Sequence, residues 1–235
     1  MRAEQLTGLG LVLWLTIASM AQATPIPAAC WALGEPAQLI DVDGSGAVQG
    51  AWTVSSTQLN ARLQRSTAPV GLLVAGYDLL ATQRLCAQVS AANLRHAQLV
   101  VGGRERYLAQ QGVSAWDWLV VPVDNLATNL LSGGLQGIFI GKGQSVVGKG
   151  FEKSTLTDPA EVATLLIERG QRQVQPVVLF VGAELQQPFM AFFSANPLPG
   201  VFLSFDDAQK VQRALSLHAS VSADDQAHLF DYYCN

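Results

Sequence analysis

Pro69-Val70-Gly71-Leu72-Leu73-Val74-Ala75-Gly76 is a proline followed by an unbroken apolar run that closes on glycine. A run with no polar face reads as a central strand of a parallel sheet, because the helices of its crossover connections cover both sides. The chain writes the pattern again at Pro176-Val177-Val178-Leu179-Phe180-Val181-Gly182. Upstream of the first run, residues 37–42 (AQLIDV) read as a short buried strand ended by DGSG. Residues 55–63 read as a short helix, with Ser55 or Ser56 as N-cap and Leu59 and Leu63 at i, i+4. Downstream, 79–91 is an amphipathic helix, 97–101 (AQLVV) a strand broken by Gly102-Gly103, and 104–111 a helix stopped by Gly112. Strands alternating with helices predict an α/β fold with a parallel sheet and right-handed crossovers.

The second half follows the same order. Residues 137–140 (GIFI) form a strand followed by glycine-rich GKGQSVVGKG. Asp158 caps a helix with Pro159 at its first position and Gly170 past its end. A helix over 184–194 and a strand over 200–205 (GVFLSF) follow, and Asp206 or Asp207 then caps a helix running through Leu217. IDVDGSGAVQGAW parallels IFIGKGQSVVGKGF, and SSTQLNARL parallels DPAEVATLL. Identities are few, so the repeat rests on element order, the Pro-Val strand openings and spacing. The expected architecture is two small parallel-sheet α/β modules in tandem, over 37–114 and 135–220. The linker over 115–134 carries Trp116-Asp117-Trp118 and LVVPV, too apolar for a free tether, and is expected to pack between the modules. Residues 24–36 are a proline-rich N-terminal arm and 221–235 a C-terminal tail.

Of the 235 residues, 49% are hydrophobic and 14% charged, against a charged share of roughly 25% in ordinary domains. Such a chain buries a core and is not of the disordered class. The net charge of −4 excludes a nucleic-acid binder working through a general positive field. Residues 1–23 have the make-up of a secretory leader: Arg2, an apolar stretch over 9–17, and Ala21-Gln22-Ala23 as the small-x-small cleavage pattern. Cleavage after Ala23 predicts a periplasmic or secreted protein. No later segment is apolar for long enough to span a membrane.

Export implies an oxidising compartment. Cys30 and Cys234 stand at opposite ends of the mature chain, and domain termini often lie close together, so a Cys30–Cys234 disulfide is expected. Cys86 then stays reduced and buried in its helix. The alternative, Cys86 paired with either end, requires Cys86 at the surface. There is no Cys-x-x-Cys, and His96, His218 and His228 show no zinc-ligand spacing, so neither a metal nor a cofactor is expected.

Leu39-Ile40-Asp41-Val42, Gly50-Ala51-Trp52, the strand at 69–76 and the run Arg95 to Gly103 together resemble the rhodanese family over residues 36–114. Residues 135–220 resemble it more faintly, with Asp206-Asp207 where the Gly-Gly pair would stand. In that family a cysteine opens the loop after the central strand, and backbone N–H groups cradle an anion there. Here the loops read Val74-Ala75-Gly76-Tyr77-Asp78-Leu79 and Val181-Gly182-Ala183-Glu184-Leu185-Gln186, with neither cysteine nor arginine. Asp78 and Glu184 set carboxylates where an anion should bind.

The resemblance therefore implies the fold without the sulfur chemistry: an exported, degenerate module that binds or assembles a protein partner in the cell envelope. Its contacts would come from Tyr77, Asp78, Arg104, Glu184 and Gln186 at the C-terminal strand ends. The competing expectation is a periplasmic sulfurtransferase or thiol-redox enzyme using Cys86 or Cys234. Other motifs read as structure. Asp41 and Asp43 suit turn capping better than acid–base work. The glycine/lysine-rich 141–150 lacks P-loop spacing, and Ser45 lies outside a nucleophile elbow. Phe189, Phe192, Phe193, Phe202 and Phe205 suit a core.

Overall fold

The computed structural model describes residues 25–32, 36–76, 78–112, 118–143, 145–146, 148 and 150–233, with side chains of the last helix described through 220. The first module runs β2 (Gln38–Val42), β3 (Ala51–Val54), α1 (Leu59–Leu63), β4 (Val70–Leu73), α2 (Leu79–Ala91), β5 (Ala97–Leu99) and α3 (Gly103–Gln110). The second runs β6 (Gln136–Ile140), β7 (Phe151–Ser154), α5 (Pro159–Gly170), β9 (Val177–Val181), α6 (Gln186–Ala195), β10 (Val201–Ser204) and α7 (Ala208–Tyr233). Before them stand β1 (Ile26–Pro27) and α4 (Val123–Leu131), and β8 (Gln173–Val174) follows α5. Among the described residues the strands form two four-stranded parallel sheets, ordered β3-β2-β4-β5 and β10-β9-β6-β7. The fold is α/β, with two small modules in tandem.

The two sheets have the same order. In each, the first strand of the module lies between the second and the third, and the fourth lies outside the third. Register makes the likeness residue by residue. One row across the first sheet is Trp52–Ile40–Leu72–Leu99, continued by an isolated parallel bridge to Trp31. The matching row of the second is Glu152–Ile138–Leu179–Leu203, continued by a bridge to Val120. The apolar runs opened by Pro69 and Pro176 are the inner strands β4 and β9, as their lack of a polar face requires.

Strand alternation explains the cores. Ile138, Ile140, Val177, Leu179, Val181 and Leu203 face α5 and α6, where Phe189 and Phe193 are fully buried. Phe139, Val178, Phe180 and Phe202 point the other way, onto α4 and α7 through Leu126, Leu130, Val211 and Ala214. Phe192 and Phe205 are partly buried against the first of these cores. In the first module Val70, Leu72 and Val74 meet α1 and α2, while Leu73 meets Val48 and Val100 on the α3 side. Val48 and Val146, from the segments between the first two strands of each module, pack onto these same faces beside the helices.

Several elements differ from expectation. β3 and β7 are edge strands with mixed exposure, so they carry no continuous apolar signal. The first helix is shorter than read: Gln58 is its N-cap, while Ser55 bonds the Thr57 hydroxyl. The linker contains α4, an amphipathic helix whose Val123, Leu126, Ala127 and Leu130 are buried. α7 extends through the segment read as a tail.

The N-terminal arm joins the modules. β1 pairs antiparallel with β8, Ile26 opposite Val174, and both side chains are buried in the first module's core. Trp31 bridges to Leu99. In between, Cys30 is bonded to Cys86 on α2, with Cα atoms 5.7 Å apart. This corrects two expectations. Cys30 pairs with Cys86 rather than Cys234, and Cys86 is oxidised rather than a free thiol. Cys86 is also buried, at 5% exposure, because the cysteine-bearing arm comes down onto the helix. Cys234 lies outside the described residues.

Candidate functional site

In the first module the C-terminal strand ends gather β4's loop, the end of β2 and the start of α3. α3 begins against the loop: the Arg104 amide donates to the Val74 carbonyl (2.9 Å), and Gly102 and Gly103 both have positive φ. A Cβ at Gly103 would collide with the Val74 carbonyl and the Gly76 backbone. The Gly-Gly pair is thus demanded by close approach of loop and helix. Gly103→Ala is expected to cost about 2 kcal/mol or more, since it adds that clash to a disfavoured φ. A chemical-denaturation midpoint equal to the parent's would contradict this.

The residues expected at this site are placed as follows. Tyr77 lies outside the described residues. Asp78 is the N-cap of α2, its Oδ1 accepting from the Ala81 amide at 2.9 Å. Arg104 Nε donates to Asp41 Oδ1 at 2.6 Å and its Nη2 to the Val42 carbonyl at 2.9 Å. Asp41 is fully buried, and a Cβ at Gly44 would fall on its carboxyl. The turn-capping reading therefore suits Asp43 alone, which sits at φ 52° and accepts from the Ser56 amide at 2.8 Å. Asp41 is a core ion-pair partner.

Glu105 was missed at the sequence level. Its Oε2 accepts from the Gly76 amide at 2.7 Å, which closes the loop onto α3. Only the fold brings a residue 29 positions away onto that amide. The Gly76 N–H of the loop is thus engaged by the protein's own Glu105 carboxylate, and Asp78 caps the α2 N-terminus that follows. The cavity left beside the loop is about 20 Å³, the scale of one water. It is walled by Trp31, Trp118 and, from the second module, Leu198, Gly200, Val201 and Phe202. Among the described residues the neighbouring module thus forms one wall of these strand ends.

In the second module, Glu184 is exposed on a single 3-10 turn over 183–185, and Gln186 opens α6 half-buried. Asp206 takes the place of the Gly-Gly pair and has a definite task. Its Oδ2 accepts from the Val123 amide at 2.8 Å and so caps α4, while its Oδ1 pairs with Lys210 Nζ at 2.7 Å. That hydrogen bond holds the Lys210 ammonium above its ordinary pKa, opposed by partial burial. Asp207 caps α7 through the Lys210 amide. Of the expected contacts that are described, Asp78 and Arg104 belong to the first module and Glu184 and Gln186 to the second, as the sequence order implies.

Larger cavities lie elsewhere. One of about 340 Å³ opens between β3 and α1, and one of about 380 Å³ lies along α5 beside the N-terminal arm. Among the described residues no helix is long and apolar enough to cross a membrane. No family model and no curated protein matches this chain.

Proposed function

We propose that this chain is an exported binding or assembly protein of the cell envelope, built from two rhodanese-like modules that have lost sulfur-transfer chemistry. The carrying observation is the self-occupied loop after β4. A persulfide site needs a thiolate there and N–H groups free to receive negative charge. Here Val74 and Ala75 stand at the loop's start, Glu105 already binds the Gly76 amide, and the adjoining cavity is of water size. The shared strand order and the repeat of loop and helix in both modules support the rhodanese-like reading. An enzyme working through Cys86 has less support, because that sulfur is buried and bonded to Cys30.

The test is cyanide-dependent thiocyanate release from thiosulfate by the purified mature protein. The expected rate equals that of the Cys86→Ser and Cys234→Ser variants, at the uncatalysed background. Turnover abolished by either substitution would make the protein a sulfurtransferase. Mass spectrometry of the exported form is expected to show an N-terminus at Thr24, and an intact Met1 would sink the export reading.

A further inference from the structure

The two modules treat one equivalent strand position differently. Trp52 on β3 and Glu152 on β7 occupy the same position, each paired across its sheet with an isoleucine, Ile40 or Ile138. Each lies on an edge strand beside the helix that follows it. In the second module Glu152 meets Arg169 of α5 at 3.0 Å. In the first module the carboxylate's place is taken by Trp52, 56% exposed, with the Arg62 guanidinium 3.5 Å above its ring. These two and Arg65 line a cleft of about 340 Å³, with Ser66 and Gln38 on its wall. Neither arginine has a carboxylate partner among the described residues. One module thus supplies its own anion, and the other presents two guanidinium groups and an aromatic face to solvent.

We propose that this cleft binds an acidic peptide segment of a partner protein, with a side-chain carboxylate pairing the arginines beside Trp52 as Glu152 pairs Arg169 in the second module. Arginine forks match carboxylates bidentately, and the Trp52 ring holds Arg62 in place for one. β3 favours a peptide over a small ion. It is an edge strand with Trp52 and Thr53 both exposed, so an extended segment can add to it and bring alternate side chains over the cleft. The occupant rests on the binding-protein reading above and gives that reading a surface.

The probe is a short fluorescein-labelled peptide of alternating Glu and Val, titrated with the full mature protein by fluorescence polarisation, beside the same peptide with Gln for Glu. The Glu peptide is expected to bind and to weaken with salt, and the Gln peptide to bind about tenfold more weakly or worse. Arg62→Gln with Arg65→Gln should lose binding. So should Trp52→Glu, which installs the second module's own solution, while its circular dichroism and melting temperature stay at parent values. No affinity for the Glu peptide, or equal affinity in parent and variants, would overturn the proposal. Inorganic phosphate protecting Trp52 fluorescence where the peptide has no effect would overturn the peptide in favour of a small anion. The cleft lies at the N-terminal strand ends, away from the loop after β4. Thiocyanate release by Trp52→Glu would therefore overturn the binding-protein reading itself, whereas lost peptide binding without turnover overturns the cleft alone.

Discussion

Reducing the Cys30–Cys86 bond, or replacing Cys86 by Ser, is expected to lower the melting temperature by roughly 10 °C. The bond spans 56 residues. In the chain-entropy account a loop of that size contributes about 4 kcal/mol by restricting the unfolded chain. Its loss also has a structural address. The arm holding Cys30 carries Ile26 into the first module's core and pairs with β8 of the second. Without the tether to α2, the arm is held by a two-residue ladder, the burial of Ile26, the Trp31 bridge and a few backbone hydrogen bonds such as Ala32 N–H to the Leu99 carbonyl. Amide exchange at residues 26–31 should therefore rise more than exchange in β4 or β9. A thermal scan unchanged by reductant would refute the expectation, as would exchange that rises uniformly.

Arg104→Ala is expected to cost about 3–5 kcal/mol, because it leaves the buried Asp41 carboxylate without its cation. Domains of ordinary stability have about 5–15 kcal/mol in total, so much of the population would be unfolded near body temperature. Exposed ion pairs carry about 0–1 kcal/mol. The Asp41–Arg104 pair differs because its carboxylate side chain is only 1% exposed. Replacing both members, Asp41→Leu with Arg104→Met, should recover most of the loss, since the unpaired charge is then gone. Urea denaturation of the two variants decides the matter. An Arg104→Ala protein within 1 kcal/mol of the parent would show the pair to be inessential.

Helix boundaries show how far local signals reach. α2 was legible to its end residues from the 3.6-residue spacing of its apolar side chains, and the start of α5 from Asp158 and Pro159, whereas Gly170, expected past the end, is the last residue of that helix. Both signals act within a turn or two of chain. β3 and β7 were not legible, since an edge strand half-exposed to water has no apolar run to betray it. α4 was hidden by its place in a segment whose apolar character suggested packing without fixing a conformation.

Sites were harder than elements. Arg104 was singled out as a ligand contact because it follows a Gly-Gly turn at strand ends. It proved to be the partner of an aspartate 63 positions earlier. Cys30 was matched to the wrong sulfur because proximity of chain ends is a tendency, whereas the path of the N-terminal arm onto α2 is a fact of packing.

Residue order alone was enough for the α/β class, the two inner strands opened by Pro69 and Pro176, the tandem arrangement and the lack of a cysteine in either loop. These follow from hydrophobic periodicity, turn chemistry and side-chain identity, which act over a few residues. Tertiary structure decided which cysteines bond, which carboxylate meets the loop after β4, and which module walls those strand ends. It also decided that Trp52 and Glu152 share one position with opposite consequences for the arginines beside them. Each of these depends on contacts between residues far apart in sequence, and such contacts exist only once the sheets have set their register.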